Sequence, residues 1–268
     1  MTPVLPATRS PLKFFVLLFA LAIPIGWAGR SLGVVGVMKI PVADLGLAFV
    51  PMIAALILVA TEKGWRGAGK LLKQTSELKG LCDLRWLFAT LGLPPLIYLL
   101  TWVLVQVSGV EGVAEVKLAN SVPLLAVFFL LAIGEEVGWT GYATEPLQSR
   151  CGALGAALIL AIPWWLAHLP SMAAVGATTT DMAWWALGAA GVRVLIVWLF
   201  NNTAKSILAA VLFHALLNAG RSATFPAAGS HYAPHYQIAS YLIIGALAVA
   251  VVLVWGPTSL RRSVKLRD

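Results

Sequence analysis

Two adjacent glutamates, Glu135 and Glu136, stand in the stretch AVFFLLAIGEEVGWTGY. Two histidines occupy stretches almost as apolar, His168 in LILAIPWWLAHLP and His214 in SILAAVLFHALLNAG. An ionisable group inside hydrocarbon is costly unless it is paired or hydrated, so each of these is a candidate for function. Asn218 follows His214 by four residues, which puts both on one face of a helix. Together they are groups that hydrolysis can use. A glutamate in an apolar site suits a general base, and an imidazole can hold the attacking water or ligate a metal. A His–Asn pair can donate hydrogen bonds to a developing oxyanion. No serine, threonine or cysteine sits in a comparable setting beside a histidine, which argues against a covalent nucleophile.

The elements that must position these groups are membrane spans. The chain of 268 residues is 60% hydrophobic and only 11% charged, with a mean hydropathy of +0.87. Soluble domains carry about 25% charged residues. A span needs about 20 apolar residues, and candidates lie near 12–29, 41–60, 86–108, 120–141, 152–169, 182–200, 206–220 and 238–256. The fold class expected is therefore all-α, a polytopic transmembrane bundle of about eight helices, with 1–268 as one membrane domain. The fourth helix can run on to Gln148. The stretch 12–29 resembles a signal peptide in hydropathy, but it lacks a small-x-small cleavage site and reads as an uncleaved first helix.

The net charge of +8 does not point to nucleic acid, because the basic residues flank the apolar runs without forming a stripe. With the N-terminus inside, 14 lysines and arginines fall in inner segments and 4 in outer ones, Arg30, Lys39, Lys117 and Arg221. That asymmetry fits an even number of spans with both termini cytoplasmic. The lysine-rich region 61–85 reads as a short amphipathic helix on the inner surface. Cys82 and Cys151 have no partner spacing and read as free thiols. Asp44 at a helix start and His231 and His235 in a loop read as background, and Trp139, Trp164 and Trp165 as a wall against lipid. Counting 1.5 Å per residue from a turn near Arg150–Gly152, Glu135 and His168 both lie roughly 25 Å away, so they can face each other.

These residues resemble the CPBP family of intramembrane proteases, which includes type II CAAX prenyl endopeptidases and bacterial Abi proteins. The family pattern is EExxxR, then FxxxH, then HxxxN on successive helices. Here GEEVGWTGYATEPLQ, WWLAH and HALLN match in order over about 120–220. The resemblance implies that Glu135 and His168 activate water, that His214 and Asn218 form the oxyanion site, and that Glu136 supports them. Glu135, His168 and His214 would also make a three-ligand zinc site with one open position; a metal-free, glutamate-activated water is the alternative. Two positions depart from the pattern. Trp164 replaces the phenylalanine, and Thr140 replaces the arginine that would neutralise Glu136. Arg193, the only basic residue inside a span, is expected to supply that charge from the sixth helix.

The function expected is an intramembrane endopeptidase acting on a membrane-associated or lipidated peptide or protein, in a bilayer of bacterial inner-membrane type. The alternative is a weakly active or inactive member serving as a membrane scaffold or bacteriocin-immunity factor. A cation-coupled transporter would show broken helices in paired repeats, and no internal repeat is present.

Overall fold

The computed structural model describes residues 9–35, 40–78, 80–109, 121–174, 176–224 and 234–261. Lys39, Lys79, Lys117, His231, Arg262, Lys265 and Arg267 lie outside them, as do the side chains of Arg30 and His235. The helices are α1 (Pro11–Ala28), α2 (Val42–Leu47), α3 (Val50–Lys73), α4 (Leu84–Val107), α5 (Ser121–Gly138), α6 (Glu145–Ala174), α7 (Thr179–Asn202), α8 (Ile207–Thr224) and α9 (Pro234–Trp255). A two-residue antiparallel ladder, β1 (Val34–Val35) with β2 (Ile40–Pro41), joins α1 to α2. The architecture is an all-α polytopic bundle.

Six helical segments are long and apolar enough to cross a membrane, by length and composition: Pro11–Ala28, Val42–Ser76, Leu84–Val107, Val122–Ala174, Thr179–Asn202 and Tyr236–Trp255. Ile207–Ser222 is a shorter apolar helix. All eight apolar stretches expected from the sequence fall on helices. The fourth and fifth share the segment Val122–Ala174, which Gly152 breaks with φ of 72° and ψ of 175°. That left-handed conformation costs glycine little, and the break creates the helical hairpin. Thr258 and Pro257 carbonyls accept from the amides of Ala153 and Leu154 just beyond it. Gly64 (φ 68°, ψ 175°) breaks α3 in the same way. The part beyond it is the amphipathic helix expected in 61–85, with Ala68 and Leu71 buried and Trp65 exposed.

Large apolar side chains such as Leu12, Val16, Ile23, Leu130 and Leu253 are exposed, while Thr140, Glu136, Arg193, Asn201 and His214 are buried. This inversion suits a bundle whose solvent is lipid, where polar groups must be satisfied internally. α7 is the innermost helix; every residue from Gly191 to Asn201 is buried. Its start is fixed by a capping box in which Thr178 and Asp181 exchange side-chain and backbone bonds. Small residues let backbones approach. Gly188 and Gly191 of α7 sit against Tyr241 and Ile244 of α9, and Gly134 and Gly138 of α5 sit against the carbonyls of Ala48 and Pro51.

The last seam lies immediately beside the glutamate pair. A Cβ at Gly138 would meet the Pro51 carbonyl oxygen at 2.4 Å, whereas one at Gly69 meets nothing within 4 Å. Gly138→Leu is therefore expected to destabilise the detergent-solubilised protein by about 1–3 kcal/mol or more, and Gly69→Ala to be neutral or slightly stabilising. Thermal unfolding of the two variants against wild type checks this.

Candidate active site

The glutamates lie in the last turn of α5, separated by two residues from a buried π-helical segment, Trp139–Thr144. Such wide turns inside longer helices recur at functional sites. Their freed backbone acceptors find partners here. The Thr144 hydroxyl donates to the Trp139 carbonyl at 2.9 Å, and Arg9 Nη1 donates to the Gly141 carbonyl at 2.7 Å. The Tyr142 hydroxyl reaches across to Glu62 Oε1 at 2.8 Å.

Glu136 is fully buried, and its carboxylate is surrounded by donors from three helical elements. Oε2 accepts from the Thr140 hydroxyl at 2.5 Å and from Arg193 Nη1 at 3.1 Å. Oε1 lies 3.0 Å from Arg193 Nη2 and 2.9 Å from His214 Nδ1. Arg193, also fully buried, comes from α7 and His214 from α8. The guanidinium lies 4.1 Å from the ring centroid of Trp164, so its charge is met by a carboxylate and an aromatic face. Three hydrogen bonds and the second guanidinium nitrogen at ion-pair distance thus enclose this carboxylate. Its chemistry is that of an ionised anchor.

Glu135 is different. Adjacent helical residues point about 100° apart, so Glu135 leaves the buried cluster and is only half-buried. Its Oε2 accepts from the Trp164 indole N–H at 2.7 Å. His168 stands one turn beyond Trp164 on α6, half-buried, with Nδ1 2.8 Å from the Trp164 carbonyl. A carbonyl only accepts, so Nδ1 carries the proton and the lone pair of neutral His168 is on Nε2. The Trp164 ring meets His168 edge-on at 5.3 Å and His214 at 5.6 Å. Asn218 is half-buried one turn along α8 from His214.

The structure thus brings Glu136, Thr140, Arg193 and His214 into direct contact, joins Glu135 to Trp164, and sets His168 against Trp164. Arg193 is at Glu136 and not at an interface. Trp164 does more than the wall against lipid expected of it, because its N–H is bonded to Glu135. Among the described residues no three His, Cys, Asp or Glu side chains converge to hold a metal ion; Trp164 packs against both imidazoles.

Asp44 is the residue that sequence reading set aside. It belongs to the six-residue α2, accepts from the Ser171 hydroxyl of α6 at 2.5 Å, and lies within electrostatic reach of both His168 and Glu135. Ser171 follows His168 by one helical turn, so Asp44 adds a third carboxylate to the half-buried side of the cluster. Nothing local in PVADLGL signals this, since the position depends on how α2 docks on α6.

Removing one partner of a buried ion pair leaves the other charge uncompensated. Arg193→Met is expected to destabilise by about 3–5 kcal/mol, and adding Glu136→Gln to recover a substantial part of that loss. Thermal unfolding of the two single variants and the double variant measures the coupling.

Residues 117–220 match the family model described as type II CAAX prenyl endopeptidase Rce1-like. The chain is also similar to CAAX prenyl protease 2 of Methanococcus maripaludis, at 27% identity over 183 residues, which cover 63% of this chain and 67% of the relative. The matched region holds the glutamate pair, Trp164, His168, Arg193, His214 and Asn218. The matches and the order of the three motifs make residues 117–220 of this integral membrane protein similar to the type II CAAX prenyl endopeptidase family.

Proposed function

We propose that the protein is an endopeptidase that hydrolyses a peptide bond in a membrane-associated or lipidated substrate, with Glu135 as general base. The observation that carries this reading is the inequality of the two glutamates. Glu136 is enclosed by Thr140, Arg193 and His214, whereas Glu135 spends one oxygen on Trp164 and is half-buried beside His168. The name of the Methanococcus relative supports a lipidated tail as one substrate class.

In this mechanism Glu135 takes a proton from water, which Nε2 of His168 helps to hold, and the water oxygen bonds to the scissile carbonyl carbon. The carbonyl oxygen becomes an oxyanion facing the Asn218 carboxamide and His214. Nδ1 of His214 is turned to Glu136, so the nitrogen it offers to the oxyanion is Nε2. Collapse breaks the C–N bond, and the proton held by Glu135 passes to the leaving amine. The distribution of lysines and arginines supports both termini on the cytoplasmic side.

Purified protein in detergent or liposomes, tested on a panel of hydrophobic and prenylated peptides, is expected to cleave at least one member. Glu135→Gln is expected to lower that rate by about 100-fold or more while leaving protein level and unfolding temperature unchanged. Glu135→Gln with full activity, or a wild type inert on the whole panel, would favour the scaffold reading. Cleavage surviving chelation is expected from a route through protein groups; activity lost on chelation and restored by zinc overturns the metal-free step.

A further inference from the structure

Trp164 touches each part of the cluster. Its N–H donates to Glu135 at 2.7 Å, its ring face lies 4.1 Å from the Arg193 guanidinium carbon, and its edges meet both histidines. It is 3% exposed, and Trp185 backs it at 5.2 Å. Other buried indole nitrogens are not used this way. Those of Trp139, Trp185 and Trp198 have no hydrogen-bond partner among the described residues, so there the ring alone is employed. At position 164 the N–H is committed to a carboxylate, where a hydrogen bond to a charged acceptor is stronger than a neutral one.

We infer that Trp164 is a positioning residue for the general base: its N–H fixes one oxygen of Glu135 while its ring face seats the arginine that neutralises Glu136. The inference rests on the reading of Glu135 as base. A carboxylate on a flexible stem otherwise turns about its last bond. Holding Oε2 leaves Oε1 in one orientation toward the water, and orientation of this kind contributes strongly to rate. Phenylalanine, the motif residue at this position, presents the same face to a cation and the same edges to the imidazoles, but has no donor. The tryptophan and the displaced arginine are thus one arrangement. The cation that the motif carries on the glutamate helix comes here from α7, and a single side chain between them orders both glutamates.

The test separates the two faces of the residue. Trp164→Phe keeps the ring and removes the donor, so kcat on a cleaved panel peptide is expected to fall about 10- to 100-fold, with KM within about threefold and unfolding temperature nearly unchanged. Trp164→Leu removes both and is expected to lose stability as well, as Arg193→Met does. A Trp164→Phe protein with wild-type kcat overturns the inference, as does one that alters stability and KM but not kcat. Should Trp164→Phe fail to fold, the indole resonance of Trp164 in nitrogen-15-labelled protein decides. It is expected to move upfield in Glu135→Ala, and an unmoved resonance overturns the inference. A wild type inert on the panel refutes the proposed function instead, and the resonance comparison still tests Trp164.

Discussion

A negative charge sealed inside a lipid-solvated bundle constrains everything around it. The Glu136 carboxylate is fully buried, and desolvation on that scale is tolerated only where geometry and hydrogen bonding compensate it. Thr140 reaches it from the π segment, Arg193 from α7 and His214 from α8. These elements consequently share one depth and one rotation. Sliding any of them by a turn would strand either the carboxylate or the guanidinium without a partner. The small residues at Gly134 and Gly138 then let α3 close on the opposite side of α5, so that packing and charge pairing specify the same arrangement.

From that anchor the difference between two neighbouring, chemically identical residues follows. Consecutive positions on a helix point about 100° apart, so burying Glu136 between α7 and α8 turns Glu135 toward α6. There it accepts from the Trp164 indole and stays half-buried beside His168. Asp44 approaches the same side from α2, tied to Ser171. The enclosed carboxylate is neutralised by Arg193, whereas the half-buried side carries two carboxylates and His168.

The two departures from the family pattern are physically linked. Thr140 cannot neutralise a carboxylate, yet it sits four residues after Glu136 and donates to it. The missing charge arrives from another helix, because a buried carboxylate requires a cation at hydrogen-bonding distance and places no demand on which segment supplies it. A guanidinium entering from α7 needs a surface to lie on, and Trp164 provides its face. Among the described residues Nε of Arg193 has no hydrogen-bond partner and Nη2 is held at Glu136 only by ion pairing, so the new arrangement does not bond all of the donors it introduces.

The sequence by itself determined the helical spans, the candidate polar residues and the existence of a partner for Arg193. Each is legible for a local or compositional reason. Hydrocarbon demands about 20 apolar residues per span, and a lone arginine within such a run must be paired. The pairing of Glu136 with Arg193 and the inner and outer charge asymmetry could thus be reasoned out from residue types alone. Tertiary structure decided the rest. The π segment after the glutamates, the commitment of the Trp164 N–H to Glu135 and the approach of Asp44 depend on helix rotation and on contacts between positions 29 and 127 residues apart. A helical repeat defines which residues share a face. The partner that face meets is chosen by packing, and here by the need to surround one buried carboxylate.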